Sequence, residues 1–149
     1  MFYILLVILA WGLCIWYLYD SYTEVNKLCA DVATMFRVLK KGICEDRRCI
    51  GEIISDEPIF NDSGATDLSM FLWENHDKLG LGVDLIDRYN AFIKESEFSS
   101  AQSCSEGITE LERTYRAALT ENAAQVKKRF ISVVTLCTAA FAIGILLLV

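Results

Sequence analysis

Few side chains in this chain have the type and spacing that chemistry needs. The six cysteines come first: Cys14, Cys29, Cys44, Cys49, Cys104 and Cys137. A zinc site wants close Cys or Cys/His pairs in duplicate. Here Cys44 and Cys49 stand five apart, ~140° around a helix, so they would not share a face, and His76 is the single histidine. An even cysteine count permits disulfides in an oxidising compartment, whereas a reducing one leaves free thiols; buried free thiols are the expectation. A thiol enzyme would need one activated nucleophile among Cys29, Cys44, Cys49 and Cys104. The sequence carries no nucleophile-elbow, phosphate-loop or zinc-hydrolase motif. Leu79-Gly80-Leu81-Gly82 has the glycines of a phosphate loop without its lysine and reads as a turn between helices. Asp84 reads as a helix-start residue, where a carboxylate favours the positive end of the dipole, and His76 as a surface or cap residue. No catalytic, cofactor-binding or metal residue is assigned, and the chain is expected not to be an enzyme.

The elements that would position any site are set by where charge is missing. All 20 acidic residues lie between Asp20 and Lys128. Phe130 to Val149 has no charged residue, and its hydroxyls on Ser132, Thr135 and Thr138 can bond back to the helix's own carbonyls. At ~1.5 Å per residue it reaches ~30 Å, the thickness of a bilayer's hydrocarbon core. Lys127, Lys128 and Arg129 precede it, a basic trio that orients a span with its positive flank inside. Phe2 to Tyr19 is also uncharged. A signal peptide would have a basic start and small residues at its cleavage site. Trp16, Tyr17 and Tyr19 stand there instead, as in an interfacial aromatic belt, so a retained span is expected. The expected order is a transmembrane helix over 1–19, a helical bundle over 20–129 and a transmembrane helix over 130–149. Lys27, Arg37, Lys40, Lys41 and the trio place the bundle in the cytoplasm. Hydrophobic residues make up 54% of the chain. The acidic middle excludes a nucleic-acid binder, which needs a basic face.

Between the spans, periodicity predicts helices throughout. Val25, Leu28, Cys29, Val32, Met35, Phe36 and Leu39 continue the first span, with Gly42 as its stop. A shorter helix is expected over 43–55, ended by Pro58, with Ile59 and Phe60 as a further turn. Ser63 or Thr66 would cap a third helix to about Asp77, its apolar face being Leu68, Phe71, Leu72 and Trp73. Leu85, Ile86, Tyr89, Phe92 and Ile93 form a helical stripe over 84–95. A last helix starts near Ser100 and runs into the second span, its buried edge marked by Ile108, Leu111, Tyr115, Ala118 or Leu119, Ala123 and Val126. The fold class is all-α, an antiparallel helical bundle between two spans. The acids Glu45, Asp46, Glu52 and Asp56, with Glu57 and Asp62, form an acidic segment that could steer a basic partner; the plainer role is solvation.

The order of features resembles the stage III sporulation protein AB family of endospore-forming bacteria. That family is in turn similar to the helical cytoplasmic domain of type II secretion F platform proteins. The likeness covers nearly the whole length: an apolar first span, two helices before an acidic or proline break, a helix with Phe71-Leu72-Trp73, the turn Leu81-Gly82-Val83-Asp84, and a long helix whose basic end Lys127-Lys128-Arg129 enters a terminal span. A glutamine usual after the aspartate is replaced here by the Asp87-Arg88-Tyr89 region. The last span has Thr135, Thr138 and small residues in place of the usual Leu-Gly and Gly-Gly positions. The resemblance implies a non-enzymatic platform component in the mother-cell membrane facing the forespore. Its bundle would dock a secretion-type ATPase beside other membrane proteins of the same complex; homo-oligomerisation is left open. An unrelated two-span adaptor, or a phage or stress membrane protein, is the rival reading.

Overall fold

The computed structural model describes residues 2–148, and side-chain surroundings for 5–146. Met1 and Val149, the outermost residues of the two expected spans, lie outside the described residues. All regular structure among those described is helical: α1 (Phe2–Cys44), α2 (Ile50–Asp56), α3 (Pro58–Asp62), α4 (Leu68–Leu79), α5 (Val83–Ser96) and α6 (Ala101–Leu148). The all-α antiparallel architecture expected from periodicity is the one observed. The chain divides into two units, one from Met1–Asn26 with Ala123–Val149, the other from Lys27–Asn122.

In the first unit α1 and α6 pack antiparallel through aromatic rings. Trp11 stacks on Phe141 with centroids 5.1 Å apart, and Tyr22 stacks on Phe130 at 4.7 Å. The half-buried positions include Val7, Trp11, Ile15, Leu18 and Tyr22 on α1, and Val126, Phe130, Val134, Cys137 and Phe141 on α6. Trp11 to Tyr22 and Phe130 to Phe141 are both steps of 11 residues. That period is close to the natural helical repeat, so the seam needs no left-handed supercoil. The remaining faces expose apolar side chains, among them Leu5, Leu9, Leu13, Trp16, Ile131, Leu136 and Ile143. Both helices are long and apolar enough to cross a membrane.

In the second unit the same two helices carry the buried residues Cys29, Val32, Met35, Phe36 and Leu39 and, opposite, Ile108, Leu111, Tyr115 and Leu119. On α1 the steps from Cys29 through Val32 and Phe36 to Leu39 alternate between three and four, whereas on α6 Ile108, Leu111, Tyr115 and Leu119 step by three, four and four, so Ile108 to Leu119 is again 11 residues. Phe36 stacks on Tyr115 at 4.0 Å and meets the edge of Tyr89 at 5.8 Å. The Tyr115 hydroxyl donates to the Leu85 carbonyl at 2.8 Å, which ties α6 to the first turn of α5. Burial raises the pKa of both tyrosines, with the Asp67 charge adding to the effect at Tyr89 and the Tyr89 and Asp84 charges at Tyr115.

Several boundaries differ from those the sequence suggests, each for a local reason. Helix α1 passes through Gly42 and ends at Cys44. Gly42 is a site of close approach: a Cβ there would lie 2.5 Å from Ile53 Cδ1, and Ile53 is fully buried. The second helix begins at Ile50 instead of 43, because Arg47 turns into a left-handed conformation (φ 53°) and the Glu52 carboxylate accepts the Cys49 N–H at 3.2 Å. The cap of α4 is Asp67, which accepts the Met70 N–H at 3.1 Å, and neither Ser63 nor Thr66. Helix α4 runs on to Leu79, where Gly80 at φ 63° closes it, its Leu81 neighbour donating to the His76 carbonyl at 3.0 Å. That is the six-to-one bond of a Schellman end. Trp73, expected on the apolar face, is 54% exposed. Phe92 and Ile93 are half-buried, the Phe92 ring lying over Gly107. Phe60, in the short α3, is fully buried.

Two tests follow from this packing. Gly42→Ala should cost about 1–3 kcal/mol in denaturant unfolding of the full chain in detergent, as overpacking does. Because Ile53→Ala removes both Cδ1 and Cγ1, which the new Cβ would meet at 2.5 and 2.7 Å, the double variant should lose less than the two single losses added together. Tyr115→Phe should cost about 1–2 kcal/mol at neutral pH, since it orphans the Leu85 carbonyl. A tyrosine whose folded pKa lies above its unfolded value of 10.0 stabilises fully below that value and loses the contribution as pH rises. Stability of the wild-type chain should therefore fall above pH 10, and less steeply in Tyr115→Phe.

Candidate interaction site

The acidic segment is less free than its composition suggests. Glu52 caps α2 through the Cys49 N–H. Arg48 donates to Asp56 Oδ2 at 2.5 Å and to Glu57 Oε1 at 3.3 Å, and to the Glu52 carbonyl at 3.3 Å. Arg48 thus neutralises much of the charge that the segment would present. Glu45 and Asp46, in the turn after α1, are exposed, and no ion pair to either is seen among the described residues. Lys127, Lys128 and Arg129 are all exposed on α6.

The Leu81-Gly82-Val83-Asp84 turn has a structural use for each part. Leu81 is 4% exposed and anchors the turn in the core. Gly82 is the N-cap of α5. The exposed Asp84 folds back over it, so that a Cβ on Gly82 would run into Asp84 Oδ1. A carboxylate in that first turn also complements the helix dipole.

One charged residue the periodicity passes over lies inside the bundle. Glu112 is 5% exposed and occupies a seam position between Ile108 and Tyr115. Lys40 approaches its Oε2 at 3.6 Å, and Arg116, one turn on, pairs with its Oε1. The signal in the sequence is an acid on the apolar face of an otherwise regular stripe. Glu112 is buried while Lys40 and Arg116 keep contact with solvent, so desolvation of the carboxylate offsets part of the attraction.

All six cysteines are free thiols, but only Cys29 is buried; Cys14 and Cys49 are exposed and the others half-buried. Burial pushes the Cys29 thiol up, against the opposing effect of the Asn122 hydrogen bond. Nucleophilic cysteines need the opposite shift. Among the described residues no group of three or more Cys, His, Asp or Glu could hold a metal ion.

An open groove of about 1030 Å³ lies where the ends of α1, α2, α4, α5 and α6 converge. Ile43, Ile50, Ile54, Leu68, Tyr89 and Ile93 give it an apolar lining. Asp67 on its wall is engaged in capping α4, and Arg48 in the ion pairs above. That leaves Arg47, Lys94 and Glu97 as the charges facing an occupant. The strained Arg47 stands on this wall, and Phe98, 91% exposed, lies in the adjoining α5–α6 turn. No single helix carries the groove, so no periodicity in the sequence announces it. No family model, curated protein or solved structure matches the chain.

The thiols give a direct check of these surroundings. With a maleimide at neutral pH, Cys49 should react fastest among the cysteines of residues 27–122, and Cys29 on the order of tenfold or more slowly. Mass spectrometry of a labelling time course reads the order.

Proposed function

We propose that the protein is a membrane-anchored helical platform whose bundle binds other proteins. The observation that carries this reading is the pair of long helices in the first unit, whose apolar side chains are exposed all around the aromatic seam. Water would penalise such a surface by roughly 25 cal/mol per Å² of apolar area, and a bilayer removes the penalty. The exposed Trp16, Tyr17 and Tyr19 suit one bilayer interface, and Lys127, Lys128 and Arg129 suit its cytoplasmic side. The bundle, with its open groove and exposed Phe98, supplies surface for protein contacts.

The resemblance to the stage III sporulation protein AB family gives the platform a particular setting. In it, the chain sits in the mother-cell membrane facing the forespore, with the bundle in the cytoplasm docking a secretion-type ATPase. Glu45 and Asp46 are the acids that suit steering of a basic partner, since Glu52 and Asp56 are engaged within the fold. Cysteine-accessibility mapping should place residue 62 on the cytoplasmic side and both termini outside; the reverse would overturn the topology. The full chain in detergent should capture the secretion-type ATPase of its own organism, more weakly at high salt. Glu45→Lys with Asp46→Lys should reduce capture at low salt. Equal capture by the folded double variant would remove the acidic turn as the docking point, and no capture by the wild-type chain would remove the ATPase as partner.

A further inference from the structure

Helix α4 carries a second surface that the bundle does not use. Met70, Trp73, Glu74 and Asp77 recur at three- and four-residue steps and are all exposed, so they form one stripe along the outside of the helix. Met70 is 58% and Trp73 54% exposed. The Trp73 ring is held flat against His76, centroids 5.4 Å apart, and His76 Nδ1 lies 2.7 Å from the Trp73 carbonyl. Such an ordered tryptophan can be buried against a partner with little further loss of side-chain freedom. The stripe is thus an apolar half followed by an acidic half, in which Asp77 Oδ1 lies 3.4 Å from His76 Nε2.

The groove offers the complementary pattern. Its lining is apolar, and two of its three uncommitted charges are the cations Arg47 and Lys94. Among the described residues neither is seen in an ion pair, in a chain with a formal net charge of −6. Arg47 is also the one described non-glycine residue with positive φ, a conformation that costs on the order of 1 kcal/mol and tends to mark contact sites. Groove and stripe adjoin: Thr66, Asp67, Leu68 and Ser69 line the groove, and Met70 begins the stripe.

We infer that a second copy of this chain occupies the groove. The Met70–Trp73 half of one copy's α4 rests on the other's apolar lining, and Glu74 and Asp77 face Arg47 and Lys94 of that copy. Because groove and stripe adjoin on one molecule, the exchange is reciprocal, and reciprocal contacts close as a two-fold dimer. Tryptophan and arginine at the centre of the contact are the residue types that carry most interface energy. This inference does not depend on the platform reading, since it concerns only the bundle and its own copy.

The native exposed thiol Cys49 lies in the groove and makes the test direct. Full-length Met70→Cys, in a neutral mild detergent and again in phosphatidylcholine vesicles, is treated with a short bis-maleimide. Covalent dimer linked between residue 49 of one copy and residue 70 of the other is expected, mapped by mass spectrometry, and lost when Cys49→Ser is added. In the Met70→Cys background, Trp73→Glu should lower the yield of this linkage on the order of tenfold. Arg47→Glu and Glu74→Lys should each lower it, and the two together should restore it. That restoration distinguishes a broken contact from a misfolded bundle, as does an unchanged helical circular dichroism spectrum. Absence of the 49–70 linkage at every protein concentration would overturn the inference. So would a linkage unaffected by Trp73→Glu, or, in a Trp11→Phe, Trp16→Phe background that leaves Trp73 as the one fluorophore of its type, a fluorescence shift on adding vesicles while the chain stays monomeric, which would place the stripe on the lipid.

Discussion

The antiparallel packing of α1 against α6 is the constraint on which the other elements depend. In the bundle unit it brings Phe36 onto Tyr115, and the Tyr115 hydroxyl then fixes the start of α5 through the Leu85 carbonyl. The α4–α5 turn is held to the same seam by Asn122, which donates to the Lys78 carbonyl at 3.0 Å and lies 3.8 Å from Cys29 Sγ. Gly80 is needed beneath that amide, since a Cβ would lie 2.5 Å from Asn122 Oδ1. A shift of α6 by one residue would break these contacts together. The buried Glu112 adds a polar condition on the same alignment, because any other register would leave its carboxylate without Lys40.

The two units share the same pair of helices and differ in what covers their outer faces. In the apolar unit, rings at steps of 11 residues face each other, and the outer faces remain apolar. In the bundle unit, α5 covers part of the seam, with Tyr89 against Phe36 and the Leu85 carbonyl on the Tyr115 hydroxyl. A pair of helices alone buries only one stripe of each, so apolar outer faces need an apolar medium. A bundle whose outer faces are charged must find its burial among its own helices.

Much of this could be read from residue order, and the limits are physical. Ile108, Leu111, Tyr115 and Leu119 declare a buried stripe because burial on a helix has a period, and so do Leu85, Ile86 and Tyr89. The helix count and the apolar ends were legible for the same reason. Helix ends were less so. Gly42 carries the composition of a stop, but its lack of a side chain serves the contact with Ile53, which comes from another helix. Asp67 competes with Ser63 and Thr66 as a cap, and only the path of the preceding turn decides among them. Glu52 and Asp56 look like free surface acids until Arg48 folds over them. The groove was hidden altogether, since its lining residues become neighbours only after five helix ends have met. Trp73 was assigned to the core by its hydrophobicity, whereas its position in α4 lies one step outside the Leu68–Leu72–Leu79 face.

The separation in sequence between the two halves of the main seam has a consequence for how the chain reaches its fold. Cys29 and Asn122 are 93 residues apart, whereas α4 and α5 are joined by a short turn. Closing the longer loop costs more chain entropy, and contacts of that separation form late. During synthesis the side chains of Val32, Met35, Phe36 and Leu39 therefore emerge long before Ile108 to Leu119 exist to cover them. The interval in which α1 is sticky is set by the time needed to make the middle of the protein. Phe36 also meets Tyr89 of α5, so α4 and α5, paired through their short turn, would offer α1 a surface that does not require α6.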